Sequence, residues 1–136
     1  MNKISSSIKL IILVALTLAL AVFALGCGGD DGFSVSEVQH DPFAFAGEIT
    51  INGTVATFAQ DNPNLFGVMD TNELLQCGRF DCGAWIMPTL FAGAERPDII
   101  QGDTVVMTGQ FMQSDGMVMF QVTDMTVGNN IMNRLP

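Results

Sequence analysis

The stretch Glu48–Phe58, with the sequence EITINGTVATF, has the alternation of a β-strand. Ile49, Ile51 and Val55 would lie on one face, because successive side chains of a strand point to opposite faces and β-branched residues favour strands. Gly53 lies inside this segment, where a glycine commonly marks a bulge or a sharp bend. A strand bent at this point could take part in two sheets.

Four further segments have strand character. They are Leu65–Asp70, Ala84–Phe91, Asp103–Gln113 and Met117–Thr126, and the last two are joined by Ser114-Asp115-Gly116, a typical hairpin turn. Five strands in roughly 80–90 residues predict an all-β fold, a five-stranded Greek-key OB-fold-like barrel. A sandwich of five or six strands with another topology is the alternative.

The first 27 residues are typical of a secretory signal. Lys3 and Lys9 precede the apolar run Leu10–Leu25, and Gly26-Cys27 follows it. A charged start, an apolar centre and a small residue before the break are the marks of such signals. The run is rather short for a membrane-spanning helix. An uncleaved N-terminal anchor is the alternative, and it also places the domain outside the cytoplasm.

The sequence Ala24-Leu25-Gly26-Cys27 resembles the lipobox of bacterial lipoproteins, with Ala24 where that family usually has Leu. The resemblance implies a signal peptide over residues 1–26 and an acyl group on Cys27, which becomes the new N-terminus. Gly28 follows the cysteine, and in enteric-type systems this would favour the outer membrane. The resemblance therefore implies a membrane-anchored lipoprotein of the cell envelope that faces the periplasm or the exterior.

The rest of the chain is expected to divide into three parts. Residues 27–40 begin with small and polar residues and are expected to form a flexible tether. Residues 41–128 hold the predicted strands. Residues 129–136 form a C-terminal tail, and we expect the chain to fray from Val127 onward because this end is rich in Asn and closes with a proline.

The charge of the mature chain limits its partners. All 14 acidic residues lie at Asp30 or later, and only Arg79, Arg96 and Arg134 of the basic residues follow the leader. Three arginines against 14 acidic residues give the mature chain a side-chain charge of −11. Such a surface repels phosphate backbones, whose binding depends on Lys and Arg. Nucleic acid is therefore not an expected partner.

Glycines and alternating β-branched residues recur in one order at Gly47–Val55, Arg96–Val106, Gly109 and Gly116–Phe120. This order resembles the barrel of the periplasmic haem chaperone of cytochrome c maturation, over most of Gly47–Val127. The likeness implies a membrane-anchored OB barrel. That family attaches haem through a His or Cys in a C-terminal tail near a Tyr, whereas this chain has no Tyr and its single His, His40, precedes the barrel. Architecture and location are implied, but haem attachment is not.

Cys77-Gly-Arg-Phe-Asp-Cys82 contains the two cysteines that follow Cys27. Paired thiols outside the cytoplasm usually oxidise, so we predict a disulfide in the connection between the second and third strands. Closing so short a loop contributes about 2 kcal/mol by chain entropy. Two alternatives stay open. The thiolates could bind a metal or haem iron, or they could form a redox-active dithiol, although the two-residue spacing of thioredoxin-like motifs is missing.

Met117 and Met119 lie two positions apart on the fifth predicted strand and would project from the same face. Thioethers are soft ligands for Cu(I). Small periplasmic copper chaperones are similar five-stranded barrels that use a Met pair, a His and a Trp, and His40 and Trp85 are the candidates here. Their order along the chain differs from that family, and methionines more often fill a core.

The inventory for catalysis is thin, with one His and no Tyr, and no serine after the leader lies in a nucleophile-elbow pattern. We therefore predict a non-enzymatic binding or assembly module without a cofactor, whose partner is an envelope protein, an oligosaccharide or a small ligand. By analogy with OB-folds, its groove would involve Trp85, Met87 and Arg79. A Cu(I) or haem chaperone using Cys77/Cys82 or Met117/Met119, and a thiol redox protein, are the alternatives.

Overall fold

Six strands form a single sheet in the computed structural model, which describes residues 32–136. The predicted signal peptide and the lipidation at Cys27 lie outside the described residues. The strands are β1 (Phe33–Ser34), β2 (Ile49–Phe58), β3 (Leu65–Met69), β4 (Met87–Phe91), β5 (Asp103–Ser114) and β6 (Met117–Asn130). Two short helices, α1 (Val35–Val38) and α2 (Thr71–Cys77), and two 3₁₀ turns (Pro42–Ala44 and Met132–Arg134) complete the secondary structure.

The hydrogen bonding of this sheet runs in a ring. The strand order is β1-β2-β3-β4-β6-β5, and β2 pairs in addition with β5. The β1–β2 and β4–β6 pairs are parallel, and the other pairs are antiparallel. The prediction of a mostly β fold is confirmed. The short first strand was not predicted, because two residues are too few to show an alternating pattern.

Strand β2 is shared along its length by β5 and β3, as the sequence suggested, and its Ile51 and Asn52 also pair with β1. Ile49–Thr54 pairs with β5, and Thr54–Phe58 pairs with β3. The register shift lies between Val55 and Thr57 and not at Gly53. A side chain at Gly53 would collide with Val68 on β3. This glycine therefore allows close packing of the two strands, and the irregularity itself comes later in β2.

The core face predicted for β2 is largely confirmed, and β5 and β6 bury alternate residues in the same way. Ile51 and Val55 of β2, Val105 and Met107 of β5, and Phe120 and Val122 of β6 are all buried. Val118 and Phe111 are half-buried. Thr54 lies on the opposite face of β2 from Ile51 and Val55 and is also fully buried, where its hydroxyl forms a 2.9 Å hydrogen bond with the hydroxyl of Thr71 at the start of α2. The helix covers that side of β2.

A second, smaller core lies under α2, where Ala56, Met69, Leu74 and Ile131 are buried together. The expectation that the chain frays from Val127 is wrong for its first residues. Strand β6 continues to Asn130, and the backbone N–H of Ile131 donates to the carbonyl of Gly102 over 2.9 Å. Burial of Ile131 and partial burial of Leu135 hold this end of the chain against the helix.

Local capping explains the position of α2 and of the β5–β6 hairpin. The Asp70 carboxylate accepts hydrogen bonds from the backbone N–H groups of Asn72 and Glu73, at 2.9 and 3.2 Å, which satisfies the open N-terminus of α2. Gly78 ends the helix with a φ of 72°. The predicted hairpin turn is confirmed, with φ values of 52° at Asp115 and 79° at Gly116.

Candidate binding groove

An apolar groove of about 240 Å³ opens beside strands β3 and β4. Its walls are formed chiefly by Phe58, Leu65, Phe66, Ile86, Pro88 and Met117. Thr57 supplies the only polar side chain among its lining residues. Two of the walls are open to solvent, since Phe58 is 36% exposed and Met117 is 54% exposed. The groove can therefore contact apolar groups of a partner without rearrangement of the core.

The floor of the groove depends on a glycine. Gly67 of β3 pairs with Pro88 of β4, and a side chain at this position would collide with Ile86 and crowd Thr57. Glycine is thus the residue that lets these two side chains close over the strand.

The groove lies where β4 and β6 are no longer paired. Their parallel pairing covers only Thr89–Phe91 against Phe120–Val122. Ile86 and Pro88 precede the paired part of β4, and Met117 precedes the paired part of β6. Pro88 has no N–H group with which to extend the ladder. The separation of the two strand ends leaves their apolar side chains available at the surface.

Charged groups surround this apolar surface. The Arg96 guanidinium carbon lies 6.0 Å from the ring centroid of Phe58, in cation–π geometry. Its Nη1 atom is buried without a hydrogen-bond partner among residues 32–136. Asp61 and Asp115 are exposed, and each is two residues from a lining residue. The described residues carry three arginines and 12 acidic side chains, so this part of the chain is acidic on balance.

The predicted disulfide is present between Cys77 and Cys82, with their Cα atoms 6.2 Å apart. Cys77 is the last residue of α2, so the bond joins the helix end to the loop before β4. A shallow and more polar depression beside it is lined by Glu73, Gln76 and the two cysteines, among others. Arg79 is largely exposed and forms an ion pair with Asp81 at 3.2 Å. Exposed pairs of this kind add little stability.

Neither a family model nor a curated protein matches this chain. No helix among residues 32–136 is long and apolar enough to span a membrane.

The three residues that the sequence predicted for a groove do not line the apolar groove of the structure. Met87 is completely buried in the main core, so a surface ligand does not reach it. Trp85 is half-buried and packs against the same core. Arg79 lies in the disulfide loop and does not line the apolar groove. Ile86 and Pro88, which point to the opposite face of the same segment, line the groove instead.

The residues of the metal hypothesis are placed as follows. Met117 lines the groove, and Met119 is half-buried opposite Met112 of β5. His40 is exposed, between α1 and the first 3₁₀ turn. The sulfur atoms of Cys77 and Cys82 are bonded to each other. Within residues 32–136, no group of three or more His, Cys, Asp or Glu side chains is arranged to hold a metal ion.

Asp70 is a buried carboxylate with a structural task. Burial by itself raises the pKa of this carboxyl. The carboxylate accepts hydrogen bonds from the backbone N–H and hydroxyl of Ser36 and from the backbone N–H groups of Glu73 and Asn72. These bonds outweigh the effect of burial, so the pKa is lowered. The Ser36 N–H lies 3.2 Å from Oδ2. One carboxylate thus holds α1 and the start of α2 together, a role that the sequence did not reveal.

Proposed function

We propose that this protein is an exported, lipid-anchored and non-enzymatic binding module of the cell envelope. The apolar groove between Phe58 and Met117 is the observation that carries the proposal. The signal-like segment at residues 1–26 and the lipobox-like sequence ending at Cys27 support the anchor and a location facing the periplasm or exterior, with the outer membrane favoured.

For the domain we propose an OB-fold-like five-stranded barrel. The ring of pairings β2–β3–β4–β6–β5–β2 supports it, because five strands that close on themselves with Greek-key connections characterise this fold. Counted from β2, the groove lies on the second and third of the five strands. It also lies beside the loop before Leu65 and the hairpin before Met117. OB-folds commonly bind ligands on this face.

The composition of the groove favours an apolar segment of an envelope protein over an oligosaccharide. Sugar recognition needs several hydrogen-bonding groups, and Thr57 is the only polar side chain of the lining. Exposed apolar surface rimmed by polar residues is typical of protein contacts. Arg96 beside Phe58 supplies one positive charge, and the exposed Asp61 and Asp115, each two residues from a lining residue, favour partner residues that carry positive charge.

Photo-crosslinking in intact cells tests this proposal. A photoreactive amino acid replaces Met117 in the groove and, as a matched control, Ile100, an apolar residue that is 64% exposed and does not line the groove. We expect a discrete crosslinked protein product from position 117 and not from position 100. Adding Phe58→Asp should remove that product, because a carboxylate would then occupy the apolar wall.

Equal products from positions 117 and 100, or no product from position 117 after full incorporation, would contradict the proposal. Thermal unfolding of the Phe58→Asp protein, compared with an Ile100→Asp protein, separates lost binding from lost folding. Phe58 is already partly exposed, so the two substitutions should shift unfolding similarly.

The metal and redox alternatives have less support. A thiolate site at Cys77 and Cys82 would require reduction of their disulfide. A Cu(I) site at Met117 and Met119 would be formed by two thioether ligands, both from strand β6. Anaerobic titration of the protein with Cu(I) would revive that alternative if uptake were lost on changing Met117 and Met119 to Leu.

A further inference from the structure

The segment Pro42–Gly47, with the sequence PFAFAG, is an exposed loop without a single polar side chain. Phe43 is 53% exposed, and Ala44, Ala46 and Gly47 are exposed as well. Scattered exposed apolar residues are ordinary, but a contiguous apolar run at the surface usually marks a contact.

A second aromatic side chain extends this surface. Phe33, in β1, is 39% exposed, and its ring lies 4.8 Å from the ring of Phe45 in an edge-to-face arrangement. Phe33 and the loop Pro42–Gly47 together are called the aromatic patch. It lies where the described chain begins, on the side of the domain that is closest along the chain to the predicted anchor.

The length of the connection limits what this patch can meet. Only six peptide units join Cys27 to Phe33, and even fully extended they span about 21 Å. A domain of this size has a radius of gyration of about 13 Å and is therefore more than 30 Å across. The connection is too short for the domain to turn its opposite end to the membrane, so the side that carries Phe33 stays near the bilayer.

We propose that the aromatic patch contacts the lipid bilayer to which the chain is anchored, at the boundary between headgroups and acyl chains. Phenylalanine side chains and a charge-free loop suit that boundary. The patch has no basic residue to attract anionic lipid, since no Lys or Arg occurs between residues 32 and 78, while Asp41 and Glu48 flank the loop. The contact depends on apolar burial and should persist at high salt.

This inference rests on the membrane anchor of the proposed function but not on the groove. It holds whether the anchor is an acyl group on Cys27 or the uncleaved apolar run Leu10–Leu25, because both end within a few residues of Phe33. The two surfaces can therefore be tested separately.

Fluorescence quenching by lipids tests the patch in the full chain, purified from membranes and reconstituted in phosphatidylcholine vesicles. A polarity-sensitive label is placed at Ala44→Cys and, as a control, at Ile100→Cys. The native disulfide between Cys77 and Cys82 and the lipid attached to Cys27 leave the introduced thiol as the labelling site, and in a chain with an uncleaved anchor Cys27 is first changed to Ser. We expect quenching by nitroxide-labelled lipid to be at least threefold stronger at position 44 than at position 100.

Adding Phe43→Asp should reduce the quenching at position 44 to the level of position 100, while flotation of the protein with the vesicles is unchanged. Ile100→Asp is the matched control and should leave quenching at position 44 as it was. Phe43 is more than half exposed, so the domain should unfold at the same temperature in both variants.

Three results would overturn the inference. Equal quenching at positions 44 and 100, in a chain that floats with the vesicles, would agree with the anchor but contradict a contact between the aromatic patch and the bilayer. A label at position 44 that is shielded from both nitroxide lipid and aqueous iodide indicates a protein occupant. A chain that does not float contradicts the anchor and the inference together.

Discussion

The apolar groove and the disulfide loop border the same strand, β4, but they differ in what holds them and in what they expose. The loop between Cys77 and Cys82 contains the residues of most distinctive chemistry, and it is tied by a covalent bond. The groove contains mostly apolar residues and is held by strand pairing. Distinctive chemistry here maintains structure, and the surface suited to a partner is made from ordinary apolar side chains.

This difference has a measurable consequence. Substitutions around the disulfide loop and its capped helix should change the free energy of unfolding and leave groove contacts alone. Substitutions at the two exposed groove walls, Phe58 and Met117, should change groove contacts and leave the free energy of unfolding nearly unchanged. The single tryptophan, Trp85, is half-buried and lies along the chain between the disulfide loop and the groove residues of β4. Its fluorescence therefore reports unfolding in each case.

The largest expected effect is at Asp70. Asp70→Ala removes the helix cap and leaves the half-buried N–H of Ser36 without its partner, so we expect a loss of about 3 kcal/mol in the free energy of unfolding. Urea unfolding at pH 7, followed by Trp85 fluorescence, measures it. Glu73→Ala, in the first turn of the same helix, is the control and should lose less than about 1 kcal/mol. Equal losses in the two proteins would show that the cap does not hold this region.

Removing the disulfide should have the next largest effect. Replacing Cys77 and Cys82 by Ser frees a short loop, and we expect a loss of about 2 kcal/mol. Crosslinking from position 117 should persist under conditions where the protein stays folded. Wild-type protein treated with a reductant should be destabilised by a similar amount. Loss of groove crosslinking in the folded double variant would show that the two regions are coupled.

The pH dependence of stability isolates the Asp70 carboxylate. Its pKa is lowered in the folded protein, so the stabilisation is present above the unfolded pKa of about 3.9 and is lost as the pH falls through the folded value. Asp70→Asn should be less stable than wild type by about 1 kcal/mol at pH 7. That gap should narrow below about pH 4. Urea unfolding of both proteins between pH 7 and pH 2 measures it, and a gap that widens toward acid would contradict the assignment.

The smallest effect on stability is expected in the groove. Met117→Ser replaces an exposed side chain, so the free energy of unfolding should change by no more than about 0.5 kcal/mol. Met107→Ser, in the buried core, is the contrasting control and should cost several times as much, about 3 kcal/mol. Comparable losses from both substitutions would mean that Met117 is part of the core and that the groove is not an independent surface.

The β class was predictable because its strands are long enough to show a pattern. Val105 and Met107, and Phe120 and Val122, alternate with polar or exposed positions, and the turn between their strands has Asp115 and Gly116 where positive φ values are needed. The proximity of Cys77 and Cys82 along the chain likewise led to the correct disulfide. Each of these features depends on residues only a few positions apart.

The groove could not be located in the same way. In the segment Ala84–Phe91, apolar residues predominate on both faces that a strand would have. Its sequence therefore does not indicate which face is buried. The prediction placed Met87 at the surface, whereas the pairing of Gly67 with Pro88 turns Met87 into the core and Ile86 outward. Helix α2 was missed for a related reason, since seven residues are too short to show helical periodicity.

The sequence by itself determined the β-rich character, the hairpin turn, the disulfide and the acidic charge, because these follow from local alternation, turn chemistry and composition. Only the tertiary structure decided which face of β4 is buried, that Ile131 packs under α2, and that β2 and β5 close the ring. Those outcomes depend on which distant segment covers a given face. An apolar side chain becomes core or contact surface according to what packs against it.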